Sequence, residues 1–142
     1  MVYRWNLYDK GNSARLSYFS IVVYISSGKI AIQIRNKKEI HGIQIGNEEY
    51  KISQYADDST LLLSTIESIS ESLSLIYEFN KHSGMKLNVA KCEGILLRPL
   101  KGYVNKIYGI NFTDGAIRCL GIYIGHDKEA CYNENWLCKI QY

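Results

Sequence analysis

From His41 to Gln54 apolar and polar residues alternate, and a period of two commits a segment to a half-buried strand. Ile43 and Ile45 stand before Gly46-Asn47, with Tyr50 and Ile52 after it, the pattern of a β-hairpin that reverses at the Gly-Asn pair. Asp57-Asp58 then interrupt a further strand-like run, Leu61 to Leu63. The period changes directly afterwards. Ile66, Ile69, Leu73, Ile76 and Phe79 step by three or four, while Glu67, Ser70, Glu71, Ser74 and Glu78 fall on the opposite side, which predicts an amphipathic helix from Thr65 to Ser83. Ser64-Thr65-Ile66-Glu67 reads as a capping box with Ser64 as N-cap, and Gly84 occupies the position of a left-handed C-cap.

Upstream, Leu16, Phe19, Val23, Ile30 and Ile34 fall on helical steps, so Ser13 to about Arg35 is expected to be one long helix, weakest at Ser26-Ser27-Gly28. Residues 16–27, LSYFSIVVYISS, follow Arg4, Lys10 and Arg15 and so imitate a signal peptide. The run is well short of the ~20 residues that span a bilayer, which favours a buried helix, no membrane contact and an intracellular chain in nucleus or cytoplasm. Downstream, Glu93 to Leu97 reads as a strand stopped by Pro99, Ile117 to Ile124 as another ending at Gly125, and residues 132–142 begin a helix around Trp136. No repeat or linker divides the chain, so one α+β unit is expected.

Composition agrees with a globular domain. Of 142 residues 46% are hydrophobic and 22% charged, with a single proline, which excludes a disordered chain, while the length is too small for a complete polymerase. Lys plus Arg exceed Asp plus Glu by 17 to 14, a net charge of +3 that permits a polyanionic partner without requiring one. Cys92, Cys119, Cys131 and Cys138 form no CxxC pair and His41, His82 and His126 are scattered, so buried reduced thiols are expected rather than a zinc site.

The residues with the strongest chemical potential are Gln54-Tyr55-Ala56-Asp57-Asp58-Ser59, two adjacent acids between β-patterned runs. Carboxylates on a tight turn present hard oxygen ligands to one spot, which suits Mg²⁺ or Mn²⁺. Adjacent aspartates also serve simply to reverse a chain in solvent-facing turns.

YADD in this setting resembles the active-site turn of reverse transcriptases, most closely those of non-LTR retrotransposons of the LINE type. The stretch GIQIGNEEYKISQYADDSTLLLSTIESISESLSLIYEFNKHSGMKLNVAKCEGILL is similar to the palm subdomain of that family, and RCLGIYIGHD to the hairpin leading towards the thumb. Together they run from Ile40 to about Trp136, roughly two thirds of the chain. The resemblance implies a partial palm: an antiparallel sheet with the active-site hairpin, packed on two helices. Residues 1–10 stay unassigned, and 11–142 would hold a remnant of the nucleotide-pocket helix, the YADD hairpin, the palm helix, a primer-grip-like hairpin and the start of a thumb.

The implied family chemistry is RNA-templated DNA synthesis from deoxynucleoside triphosphates on a DNA primer, by two-metal phosphoryl transfer with Mg²⁺ or Mn²⁺. Asp57 and Asp58 match the family's catalytic, metal-binding acids. Tyr55 and Ala56 match residues beneath the primer end. Gly84, Lys86, Leu87, Asn88 and Lys91 resemble the motif GLKLNxxKSE, in which the lysine at Lys91 would assist the incoming triphosphate; a solvated surface lysine is the alternative. Arg118, Cys119, Leu120 and Gly121 match the YLGI-type hairpin that grips the primer, with Cys119 in place of an aromatic or aliphatic residue. Between Lys81 and Lys106 six basic residues accompany one acid, Glu93, a surface suited to phosphate.

The resemblance fails upstream. The family's other essential aspartate lies on a strand of the form DxxKAFDxV, and nothing here matches it; Asp9, in LYDKGN, has no strand-like run leading into it. Leu16-Ser17-Tyr18-Phe19 can be placed against the end of the pocket motif, but its glutamine and prolines are absent. A half-built metal site is therefore expected, in a fragment or degenerate copy that is inactive alone. The alternative is a non-catalytic nucleic-acid-binding or interaction remnant. A sheet lacking the aspartate-bearing central strand is expected to leave unpaired edges.

Overall fold

The computed structural model describes residues 19–24, 28–55, 58–96, 106–113, 115–119, 121–125 and 127–137. Strand β1 (Phe19–Tyr24) and helix α1 (Gly28–Asn36) come first, followed by strands β2 (Ile43–Ile45), β3 (Glu48–Tyr50), β4 (Ile52–Tyr55) and β5 (Asp58–Leu63). Helix α2 (Ile66–Ser83) and a 3-10 turn at Val89–Lys91 lead into β6 (Glu93–Leu96), β7 (Lys106–Ile107), β8 (Ile110–Thr113), β9 (Ala116–Cys119) and β10 (Ile122–Gly125). Helix α3 (Lys128–Tyr132) and a π-helical turn at Asn133–Leu137 close the described chain. The mixture is α+β, with a six-stranded sheet in the order β4-β5-β1-β6-β8-β7 and two-stranded sheets β2-β3 and β9-β10. All pairs are antiparallel except β6 with β8.

The largest correction concerns the first segment. Phe19–Tyr24 is not helix but the central strand, hydrogen-bonded to β5 on one side and β6 on the other. Its sequence, FSIVVY, is β-branched and aromatic, which favours strand, and a continuous apolar run does not by itself separate a buried strand from a buried helix. The helical spacing holds only from Gly28, where Ile30, Ala31 and Ile34 are buried. The expected gap at the sheet centre is thus filled by this strand. Residues 11–18, including the other positions placed against the pocket motif, lie outside the described residues.

Helix α2 keeps its expected face, with Ile69, Leu73 and Ile76 buried, although Ile66 is exposed at its start and Ser68 and Ser72 join the buried side. Its cap is one residue later than the capping box implied. Thr65, in extended conformation, accepts the Ser68 amide at 3.1 Å, and Ser68 Oγ in turn accepts the His41 amide at 2.8 Å, so Ser64 and Glu67 do not form the box. Gly84 ends the helix with φ 72° and donates its amide to Asn80 O, as expected.

The first hairpin reverses at Gly46-Asn47 with Ile43 opposite Tyr50, and Gly46 takes the positive φ the turn requires. Ile52 belongs to the next strand, because Lys51 intervenes as a buried side chain whose ammonium donates to Arg35 O (3.2 Å) and Lys37 O (2.8 Å) at the end of α1. The run at residues 117–124 is a hairpin rather than one strand, and the last helix begins at Lys128, capped by Asp127, ahead of the expected start. No strand is expected over residues 106–113, where β7 and β8 form.

The sheet has two unlike faces. Leu61 and Leu63 of β5, Ile52 of β4 and Leu96 of β6 pack with Ile30 and Ile34 of α1 and Ile69, Leu73 and Ile76 of α2 in the main core. Strand alternation puts Asp58, Thr60 and Leu62 on the opposite face. There Ile95 of β6 packs with Ile117 and Cys119 of the β9-β10 hairpin. No described helix is long and apolar enough to cross a membrane.

Candidate active site

Strands β4 and β5 pair Ile52 with Leu61, Ser53 with Thr60, Gln54 with Ser59 and Tyr55 with Asp58. Only Ala56 and Asp57 separate the last pair, and both lie outside the described residues. Gln54 Nε2 donates to Ser59 Oγ at 3.1 Å across the hairpin, next to its end. By the two-residue period Tyr55 and Asp58 share the face that carries the β9-β10 hairpin; Tyr55 is exposed and Asp58 half-buried.

Thr60 fixes that hairpin against the sheet. Its hydroxyl lies 3.1 Å from Cys119 Sγ, and the Cys119 thiol stands beside the apolar pair Ile95 and Ile117. The acid-bearing strand and the RCLG segment, 59 residues apart in sequence, therefore meet two residues from Asp58. Thr60 was missed in the sequence, although counting by two from Asp58 would have placed it on the same face.

Other candidates are placed unequally. Val22 of β1 pairs with both Thr60 and Glu93, so Lys91, just before β6, emerges at the same end of the sheet as Asp58, and its side chain is exposed. Lys86 is exposed in the segment after α2. Arg118 is exposed on the side of β9 opposite Ile117 and Cys119, pointing away from the sheet. Gly121 has φ 79° in the turn joining Cys119 to Ile122, which accounts for its glycine identity by backbone conformation. Leu120 lies outside the described residues.

The donor set bears on the metal. Two-metal chemistry draws carboxylates from separate strands. The strands bonded to β5 read FSIVVY and ISQY and contain no acid, and Tyr24 and Tyr55 are the residues paired with Asp58. Among the described residues no three His, Cys, Asp or Glu side chains gather into a metal-holding group. On the same face as Asp58 a second acid, Glu93 of β6, lies two strands from β5 across Val22, while Asp57 and Asp9 lie outside the described residues.

Of the cysteines, burial pushes the Cys92 thiol up to about 11, and its Sγ donates to Asn88 O at 3.4 Å. Cys131 is raised by burial and then by the Asp127 carboxylate. Cys92, Cys119 and Cys131 are all free thiols, and Cys138 lies outside the described residues. A scan against models of known protein families finds none that matches the chain.

Proposed function

We propose that the chain is a reverse-transcriptase-type palm domain of non-LTR retrotransposon origin that holds primer-template nucleic acid without extending it. The observation that carries this reading is the convergence of the YADD hairpin and the RCLG hairpin on one face, through Thr60 and Cys119. In the family these two motifs serve one primer end, and here they are adjacent while α1 and α2 brace the other face. Tyr55 supplies an exposed ring beside the turn, and Lys86 and Lys91 supply exposed positive charge for phosphate.

The non-catalytic part of this reading is supported by the strands bonded to β5, neither of which carries an acid beside Asp58. When bound, Mg²⁺ would supply Lewis-acid chemistry to phosphoryl transfer; Asp57 and Asp58 would hold it from one side, and neither strand bonded to β5 adds a carboxylate. Binding to a primer-template duplex is expected to weaken steeply with salt, and neutralising Lys86 and Lys91 to glutamine should reduce the slope of log K against log salt by about 1.8. Primer extension on an RNA template with Mg²⁺ should give no product. Incorporation that disappears in Asp57→Ala would overturn the non-catalytic part, and binding indifferent to salt and to both lysines would overturn the rest.

A further inference from the structure

Tyr108 is the one non-glycine residue with positive φ among the described residues, at 49°, and Gly109 follows at 83°. Ile107 pairs with Ile110, so these two residues form the whole turn of the β7-β8 hairpin. Consecutive positive φ values make a type I′ turn, whose first position ordinarily holds Asn, Asp or Gly. A tyrosine is strained there by its Cβ, yet its ring is not buried to compensate: the residue is 54% exposed. Strained, exposed side chains of this kind concentrate where a ligand is met.

The surroundings carry two exposed lysines, Lys91 and Lys106, and one exposed acid, Glu93. Thr60, Val22, Glu93, Asn111 and Lys106 form one row across the sheet by successive pairing. On the same side of that row lie Asp58, the Val89–Lys91 turn and the Tyr108-Gly109 turn. The last two lie close together, since a Cβ on Gly109 would stand 3.2 Å from Val89 Cγ1. Lys91 closes the Val89–Lys91 turn and Lys106 precedes Tyr108 by two residues; both are exposed, with Glu93 as the exposed acid of the row.

We propose that Tyr108 is a stacking platform for a base of single-stranded nucleic acid, with Lys91 and Lys106 contacting the adjoining phosphates. An acidic peptide would satisfy the lysines but has no use for a flat exposed ring, whereas bases of every kind stack on one. The site shares Lys91 with the primer-template reading but adds Tyr108 and Lys106, which that reading does not use, and it needs neither Asp57 nor Asp58.

The test is fluorescence anisotropy of the full chain with labelled dT12 and rU12, alongside a duplex of equal length. Single strands should bind more tightly than duplex, and Tyr108→Ala should weaken them at least about fivefold while Tyr108→Phe retains binding. Tyr108→Gly separates ligand contact from folding: it relieves the positive φ, so its Tm should rise while its affinity falls like that of Tyr108→Ala. Replacing Lys91 and Lys106 by glutamine should lower the salt slope by about 1.4. Unchanged affinity in Tyr108→Ala, a preference for duplex, or equal competition by polyglutamate would overturn the proposal. Tyr108→Ala separates the two readings: loss of single-strand binding with duplex binding retained supports this site, and loss of duplex binding in Lys86→Gln with single-strand binding retained bears on the primer-template reading alone.

Discussion

Lys51 shows how a single residue can be legible in type and illegible in role. In the alternating stretch it reads as an outward polar position, and its sequence neighbours give no reason to bury it. The fold brings it against the end of α1, where its ammonium satisfies two carbonyls 14 and 16 residues upstream and stands 3.6 Å from Glu49. Removing the charge leaves those carbonyls without their donor. Lys51→Met, which keeps most of the apolar stem, should cost about 1.5 to 3 kcal/mol in urea denaturation. Cys92 gives a second residue-level prediction. The fold holds its thiol protonated to about pH 11 against an ordinary 9.0. Between those values the unfolded chain has released a proton that the folded chain retains, so this thiol makes stability fall as pH rises from 9 towards 11. Urea midpoints across that window should flatten in Cys92→Ala.

At the scale of elements, regular period was legible and continuous apolarity was not. Helix α2 forms where its period put it, and the first hairpin reverses at Gly46-Asn47 as expected, although its second arm is exposed and ends at Tyr50, with Ile52 opening the next strand. Phe19–Tyr24 carries no such period. A strand buried in the middle of a sheet and a helix buried in a core both read as unbroken apolar sequence, and only its pairing with β5 and β6 decides between them. The cap of α2 is a finer case: Ser64 and Thr65 are both good N-caps by type, and backbone conformation selects Thr65. Thr65→Ala should therefore destabilise the fold by about 1 kcal/mol, as measured by thermal or urea unfolding, whereas Ser64→Ala should cost less because its hydroxyl donates only a long 3.3 Å bond to His41 O.

The whole molecule is organised by the difference between two sheet faces. One is closed by α1 and α2 over an aliphatic core; the other carries the acid turn and receives the β9-β10 hairpin. The YADD hairpin could be located from sequence because its residues are contiguous. Its partner on that face could not, since the Thr60 and Cys119 contact closes across 59 residues and depends on where β6 places Ile95. That contact makes the two motifs parts of one surface, and the functional proposal depends on it. Its most direct test is to replace Thr60 with cysteine, oxidise the dilute chain with diamide and map disulfides by mass spectrometry. The 3.1 Å approach predicts an intramolecular 60–119 disulfide as the main product. A Thr60→Cys thiol that stays reduced, or links mainly to Cys131 or Cys138, would contradict the shared surface.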